Sequence, residues 1–131
     1  MAKTVTLVTN QYRCDRIICA ARLVADETDT ELTVVGVLGS EYELNPQAID
    51  YLFNLSKQNK ATMRLFFSDD KKGAIHNIIS QHDCRNVVTG MPSSNQSVLY
   101  ELWKRYPGKT FYAVDTTGEL VEVASSSFCT A

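Results

Sequence analysis

The fold of this chain is decided by the stretch NVVTGMPSSNQSV, residues 86–98. Val87 and Val88 are a short β-branched run that favours a buried strand, and Gly90 permits backbone angles that other residues rarely adopt. A polar turn around Pro92 then interrupts the strand before a helical pattern begins. Such a turn presents backbone N–H groups where a helix dipole is positive, so we expect it to receive an anion such as phosphate. An ordinary strand-to-helix connection is the alternative interpretation.

Strand-like and helical patterns alternate on both sides of this stretch. Besides the strand at Val87 and Val88, apolar and β-branched runs predict strands at residues 4–9, 32–38, 63–67, 111–114 and 120–123. The last two flank a DTTG turn and predict a terminal hairpin. Helices are predicted from Asp15 to a polar DETD loop, from Asn45-Pro46, after a Ser68-Asp69 cap, and from Ser97-Val98 to Pro107-Gly108.

Each predicted helix carries an apolar stripe at helical spacing, which indicates that one face packs on the sheet. The predicted buried residues are Ile17, Ile18, Ala21, Val24 and Ala25 in the first helix, Ala48, Ile49, Leu52, Phe53 and Ser56 in the second, Ala74, Ile75, Ile78, Ile79 and His82 in the third, and Val98, Leu99, Leu102, Trp103 and Tyr106 in the fourth. His82 is interpreted as a partly buried packing residue.

The alternation predicts a doubly wound α/β domain with a mostly parallel sheet in three α/β/α layers, strand order 3-2-1-4-5 and a C-terminal hairpin. We expect residues 1–131 to form one domain, with a flexible tail at 125–131. A ligand in such a sheet binds beyond the carboxyl ends of the strands where their order reverses, here between the first and fourth strands. The predicted ligand-binding residues are Thr9, Asn10, Val37, Gly90, Ser93, Ser94 and Ser97.

These side chains can hold a ligand, but none of them is a base near neutral pH. The dinucleotide pattern GxGxxG and the P-loop GxxxxGK[ST] are both absent. A phospho-acceptor receiver domain would need acidic residues after the first strand, where Thr9 and Asn10 stand, so Asp69 and Asp70 are interpreted as helix-capping residues. We therefore predict no catalytic residue, no metal site and no enzyme activity.

The composition of the chain limits which binding partners and which cellular compartment we expect. The formal net charge is −2 and the basic residues are scattered, which argues against a nucleic-acid or anionic-membrane partner. The chain lacks the apolar core of a signal peptide and any run near the roughly 18 apolar residues that span a bilayer, so we expect a cytoplasmic protein. The cysteines Cys14, Cys19, Cys84 and Cys129 lack metal-site spacing and are expected to be free thiols. An enzyme that uses Cys14 at a helix start is a further hypothesis.

The segment SDDKKGAIHNIISQHDCRNVVTGMP, residues 68–92, resembles the third helix, fourth strand and glycine loop of the universal stress protein fold. It is most similar to the stress-protein-like domain of potassium-sensing histidine kinases. The segments TVTLVTN, CAARLVAD and ELTVVGVL resemble the first strand, first helix and second strand of the same family. The resemblance extends from Val5 to about Val114, in the family's order.

The resemblance implies a ligand at the crevice already predicted. In nucleotide-binding members a GxxG pattern follows the fourth strand; Gly90 matches its first glycine, whereas Ser93 replaces the second and Asn10 replaces an acidic residue after the first strand. These departures favour members that do not hold ATP tightly, so the leading hypothesis is a non-catalytic module that binds a partner or small ligand. Binding of ATP or another adenine nucleotide, with Val37 against the base, is the alternative. Many relatives pair through their last strand, so the resemblance also implies a homodimer. The alternative is that the charged residues Glu119 and Glu122 only protect this strand from association.

Overall fold

The computed structural model describes residues 2–8, 15–38, 46–90, 98–106, 108–115 and 117–123, so the predicted tail lies outside it. The described helices are α1 Asp15–Thr28, α2 Pro46–Gln58, α3 Lys71–Ile79 and α4 Val98–Arg105. The strands are β1 Lys3–Val8, β2 Glu31–Leu38, β3 Thr62–Phe67, β4 Cys84–Gly90, β5 Thr110–Val114 and β6 Leu120–Val123. No helix in these ranges is long and apolar enough to cross a bilayer.

The six strands form one sheet in the order β3-β2-β1-β4-β5-β6. Neighbouring strands from β3 to β5 pair in parallel, and β6 returns antiparallel to β5, with Leu120 opposite Val114. The structure confirms the predicted fold class, the strand order 3-2-1-4-5 and the C-terminal hairpin. The chain builds the sheet in one direction from β1 and in the other from β4, so the order reverses between these two central strands.

Side chains alternate across the sheet and supply a core on each face. The face covered by α1 and α2 buries Val8, Val34, Ile18 and Leu52. The face covered by α3 and α4 buries Val5, Val87, Ile79 and Leu102. Val87 and Val88 are both fully buried, one on each face, because β4 is covered on both sides.

A buried polar network joins the two central strands near their amino ends. The pairing of β4 with β1 skips Arg85, and Asn86 consequently faces α1. Asn86 Nδ2 donates hydrogen bonds to Thr4 Oγ1 at 3.0 Å and to Thr28 Oγ1 at 2.9 Å. The hydroxyl oxygens of Thr4 and Thr30 lie 2.5 Å apart. The network fixes β1, β4 and the end of α1 relative to one another.

Helix α1 is longer than predicted, since the polar DETD segment expected to be a loop is mostly helical. Within it, Arg22 Nη2 lies 2.8 Å from Asp26 Oδ1, and Thr28 Oγ1 donates to the Val24 carbonyl at 2.7 Å. These contacts stabilise a polar last turn. The helix ends where Asp29 adopts a positive φ of 53°.

Helix α3 is capped by Asp70, which confirms the capping role predicted for this residue, whereas the cap predicted at Ser68 and Asp69 was wrong by one to two residues. Asp70 Oδ1 accepts the N–H of Gly73 at 3.0 Å. Ser68 Oγ accepts the N–H of Asp70 at 3.1 Å and so supports the turn before the helix. The chain bends at Asp69, and the helical backbone begins only after Asp70.

Two residues predicted to be buried are exposed. Phe53 is 55% exposed, because α2 buries only the narrow stripe that includes Leu52 and Ser56. His82 is exposed because α3 ends at Ile79, three residues before the stripe was expected to end. The partly buried histidine of this segment is instead His76.

Candidate functional site

The carboxyl ends of β1 and β4 lie side by side at the point where the strand order reverses. Thr6 of β1 pairs with Val88 of β4, so the next residues on each strand run in step towards Val8 and Gly90. Helix α1, which follows β1, packs on one face of the sheet, and α4, which follows β4, packs on the other. A crevice in this position is the usual ligand site of a doubly wound sheet.

Two glycines flank Val8 at this edge. Val8 pairs with Gly36 on β2. A Cβ atom on Gly90 would lie 3.3 Å from Ile17 Cδ1, and one on Gly36 would lie 3.0 Å from Leu65 Cδ2. Both glycines therefore allow apolar side chains to pack closely against the backbone near the strand ends, a structural role that is independent of any ligand.

The structure describes two of the seven predicted ligand-binding residues, Val37 and Gly90. They lie at the same edge of the sheet on strands separated by β1. The Val37 side chain packs with the α3 and α4 core, whereas the open side of Gly90 faces Ile17 of α1. Their side-chain positions thus point to opposite faces. The other predicted residues, Thr9, Asn10, Ser93, Ser94 and Ser97, lie outside the described residues.

Arg16 and Asp115 form a feature of this edge that the sequence did not predict. Arg16 Nε, on the first turn of α1, donates a hydrogen bond to the Asp115 carbonyl oxygen at 3.0 Å. Asp115 directly follows β5, and its Oδ1 accepts hydrogen bonds from the N–H groups of Thr117 and Glu119, both at 2.9 Å. The side chain of Asp115 thus orders the hairpin turn, and its carbonyl anchors a guanidinium group beside the strand ends.

Asp115 is one of the described carboxylates near the carboxyl ends of the strands, and hydrogen bonds within its own turn engage it. A hydrogen bond from the Thr117 hydroxyl, at 2.6 Å, is the main cause that holds the pKa of Asp115 below its ordinary value. A carboxylate with three donors and a lowered pKa is a poor general base. Within the described ranges, no group of three or more His, Cys, Asp or Glu residues could hold a metal ion.

An open groove of about 990 Å³ lies elsewhere, between α3 and α4. Lys72 Nζ pairs with Glu101 Oε2 at 2.8 Å across this groove. The hydrogen bond from Lys72 is the main cause that lowers the pKa of Glu101. His76 Nδ1 lies 3.2 Å from the Tyr106 hydroxyl, with the ring centroids 5.8 Å apart. These contacts join the two helices and engage Lys72, Glu101, His76 and Tyr106 within the chain.

No protein-family model matches the chain, and the comparison with curated proteins gave no match. The resemblance to universal stress proteins therefore stays a hypothesis drawn from the residues.

Some signals for the unpredicted residues were present in the sequence. The DTTG turn after β5 pointed to an aspartate that accepts backbone N–H groups, as Asp115 does. Arg16 carried no such signal, because its partner is a backbone carbonyl 99 positions away. His76 and Tyr106, 30 positions apart, meet only because α3 and α4 cover the same face.

Proposed function

We propose that this chain is a non-catalytic, universal stress protein-like module that binds a small ligand or a partner at the crevice between β1 and β4. The observation that carries the proposal is the adjacency of these two strands at the reversal of strand order. Backbone N–H groups at the helix starts beside this edge favour an anionic group on the ligand. Arg16 adds a positive charge at the same edge.

A binding role fits the state of the described titratable groups better than a catalytic one. Asp115 is engaged by three donors. Cys84 is 2% exposed, and burial raises the pKa of its thiol to about 11, so the nucleophilic thiolate is scarce at neutral pH. The hypothesis of an enzyme that uses Cys14 concerns a residue outside the described part of the chain.

Adenine-nucleotide binding is the alternative function. Here Gly90, Ser93, Ser94 and Ser97 would surround the phosphates, and Val37 would contact the adenine. Gly90 is the described residue most relevant to this alternative, because a glycine at a strand end can let a phosphate approach the backbone. The position of a Cβ atom on Gly90 lies 3.3 Å from Ile17 Cδ1, however, so packing against α1 already explains this glycine.

Calorimetric titration with ATP and ADP separates the two functions. The leading proposal predicts no micromolar binding of either nucleotide. Micromolar binding that is lost in Ser94→Asp but kept in Asn54→Asp, the same charge change on the exposed surface of α2, would establish the alternative and remove the leading proposal.

The homodimer through the last strand, which the resemblance implies, stays an untested prediction that is separate from the proposed function. The described part of β6 has four residues, and Val121 is 42% exposed. Glu122 is exposed on the same strand, and a charge there opposes edge-to-edge association. Sedimentation at tens of micromolar tests this: Val121→Lys converts a dimer formed through β6 into a monomer, whereas a monomeric wild-type chain contradicts it.

A further inference from the structure

β3 is the outer strand on the side of the sheet opposite to β6, and its six residues exceed the four of the described part of β6. β3 has one neighbour among the described strands, β2, and pairs with it over six consecutive residues without a bulge. Every residue of β3 is exposed or partly exposed, and Phe67 is 63% exposed. The strand contains no proline, and its charged residue is the exposed Arg64, whose guanidinium carbon lies 5.3 Å from the Phe66 ring centroid.

We infer that β3 is an interaction surface for a second copy of this chain, which adds its own β3 in antiparallel pairing. This inference goes beyond the proposed function and is independent of what occupies the crevice. It commits the homodimer to the β3 edge instead of the shorter, acidic β6 edge.

The two faces of β3 differ in chemistry. Met63 packs with the core beneath α1 and α2, and by alternation Leu65 and Phe67 lie on the same face. Phe66 lies on the other face, where the Arg64 guanidinium carbon is 5.3 Å from its ring centroid. In an antiparallel pair of β3 strands related by a two-fold axis, directly opposite residues must lie on the same face of the sheet. This holds only when the two residue numbers of each opposing pair add up to an even number.

Charge selects one register among those that satisfy this condition. With Leu65 opposite Leu65, Met63 lies opposite Phe67, and Arg64 lies opposite Phe66. This register gives a continuous apolar ladder on one face and two symmetric cation–π contacts on the other. The next allowed register in one direction places Arg64 opposite Arg64 of the second copy, where the like charges destabilise the strand pair. The next allowed register in the other direction pairs only residues 65–67 of each β3, so the strand pair is shorter.

Disulfide trapping tests this register directly. Residues directly opposite in an antiparallel pair have Cα atoms about 4.5–5.5 Å apart, which a disulfide can span. In a Cys19→Ser background, which removes an exposed thiol, Leu65→Cys should form a covalent dimer on mild oxidation. Phe67→Cys is the matched control: the site is more exposed, but the two copies of residue 67 would lie about 13 Å apart along the strands. Mass spectrometry of the linked peptide identifies the bond.

Sedimentation of unmodified chains supplies the second measurement. Wild type should dimerise at tens of micromolar. Phe67→Lys should raise the dissociation constant about tenfold, because the symmetry removes two Met63–Phe67 pairs at once. Leu23→Lys, which replaces an apolar side chain that is 61% exposed on α1, should leave the constant unchanged.

Several results would overturn the inference. A wild-type monomer at these concentrations does so, as does cross-linking of Phe67→Cys as fast as that of Leu65→Cys, which indicates random collision. A dimer that survives Phe67→Lys but is lost in Val121→Lys places the interface at β6 and also overturns it. Since none of these measurements involves a ligand, their failure leaves the proposed crevice untouched.

Discussion

Asn86 Nδ2 donates a hydrogen bond to Thr4 Oγ1 across 3.0 Å and joins β4 to β1, the two strands at which the sheet reverses its order. Asn86 is 2% exposed and Thr4 is fully buried. A hydrogen bond between buried groups is costly to break, because each group left without a partner has also lost its contact with water. The pair therefore holds together the strands whose far ends form the proposed crevice.

We predict that Asn86→Ala destabilises the fold by about 2 kcal/mol, because it removes hydrogen bonds to Thr4 and Thr28 and leaves a small cavity. Urea unfolding followed by circular dichroism measures the loss. A change within experimental error would show that the network does not hold the central strands.

Thr6 supplies the opposite case on the same strand. It is fully buried, and its Oγ1 has no hydrogen-bond partner among the residues that the structure describes. Thr6→Val keeps the shape and removes the unsatisfied hydroxyl, so we predict a gain in unfolding free energy of about 1 kcal/mol. The same urea experiment applies, and a loss of stability would mean that the hydroxyl does find a partner.

The turn after β5 should make stability depend on pH in the acid range. Hydrogen bonds, the strongest from the Thr117 hydroxyl, lower the pKa of Asp115 in the folded state below its ordinary value. A lowered pKa stabilises the fold above the unfolded-state value, and this contribution disappears as pH falls through the folded-state value. Wild type should therefore be more stable than Asp115→Asn above about pH 5, and the difference should vanish at lower pH. Thermal melts across this range measure it, and a difference that grows towards acid would contradict the assignment.

Thiol labelling should separate two cysteines cleanly. Cys19 is exposed on α1, while Cys84 is buried with a pKa raised to about 11 by burial. A maleimide should modify Cys19 in the native protein at neutral pH and Cys84 only after unfolding. Cys19 is thus the proper reference for the hypothesis of a reactive Cys14: labelling of Cys14 no faster than that of Cys19 would dismiss it. Native labelling of Cys84 would contradict the packing of β4.

The sheet could be predicted from the sequence because each strand and helix is indicated by the pattern of neighbouring residues. Apolar runs such as that at Val87 and Val88, alternating with amphipathic segments, determine a parallel sheet, and short connections with right-handed crossovers leave few strand orders. Helix bounds were less certain, since the Arg22–Asp26 pair extends α1 through residues that are individually typical of loops.

The details of burial and of the site depend on contacts that are distant in sequence. An apolar stripe on a helix does not show how much of the helix the neighbouring elements cover. Phe53 is exposed because α2 packs near the outer strand β3 and is covered on a narrow face. Arg16 and Asp115 meet through the fold alone. Five of the predicted ligand-binding residues, from Thr9 to Ser97, remain predictions, because they lie outside the described ranges.

Backbone amide chemical shifts during ligand titration test the central claim most directly. Isotope-labelled protein would be titrated with ATP, ADP and inorganic phosphate to millimolar concentration, so that weak binding is also detected. If any of these ligands binds, we predict that shifts concentrate at Gly90, Arg16 and the residue after Val8, while Asn86 at the opposite end of β4 stays unchanged. Shifts concentrated at His76 and Tyr106, in the groove between α3 and α4, would contradict a ligand site at the ends of β1 and β4.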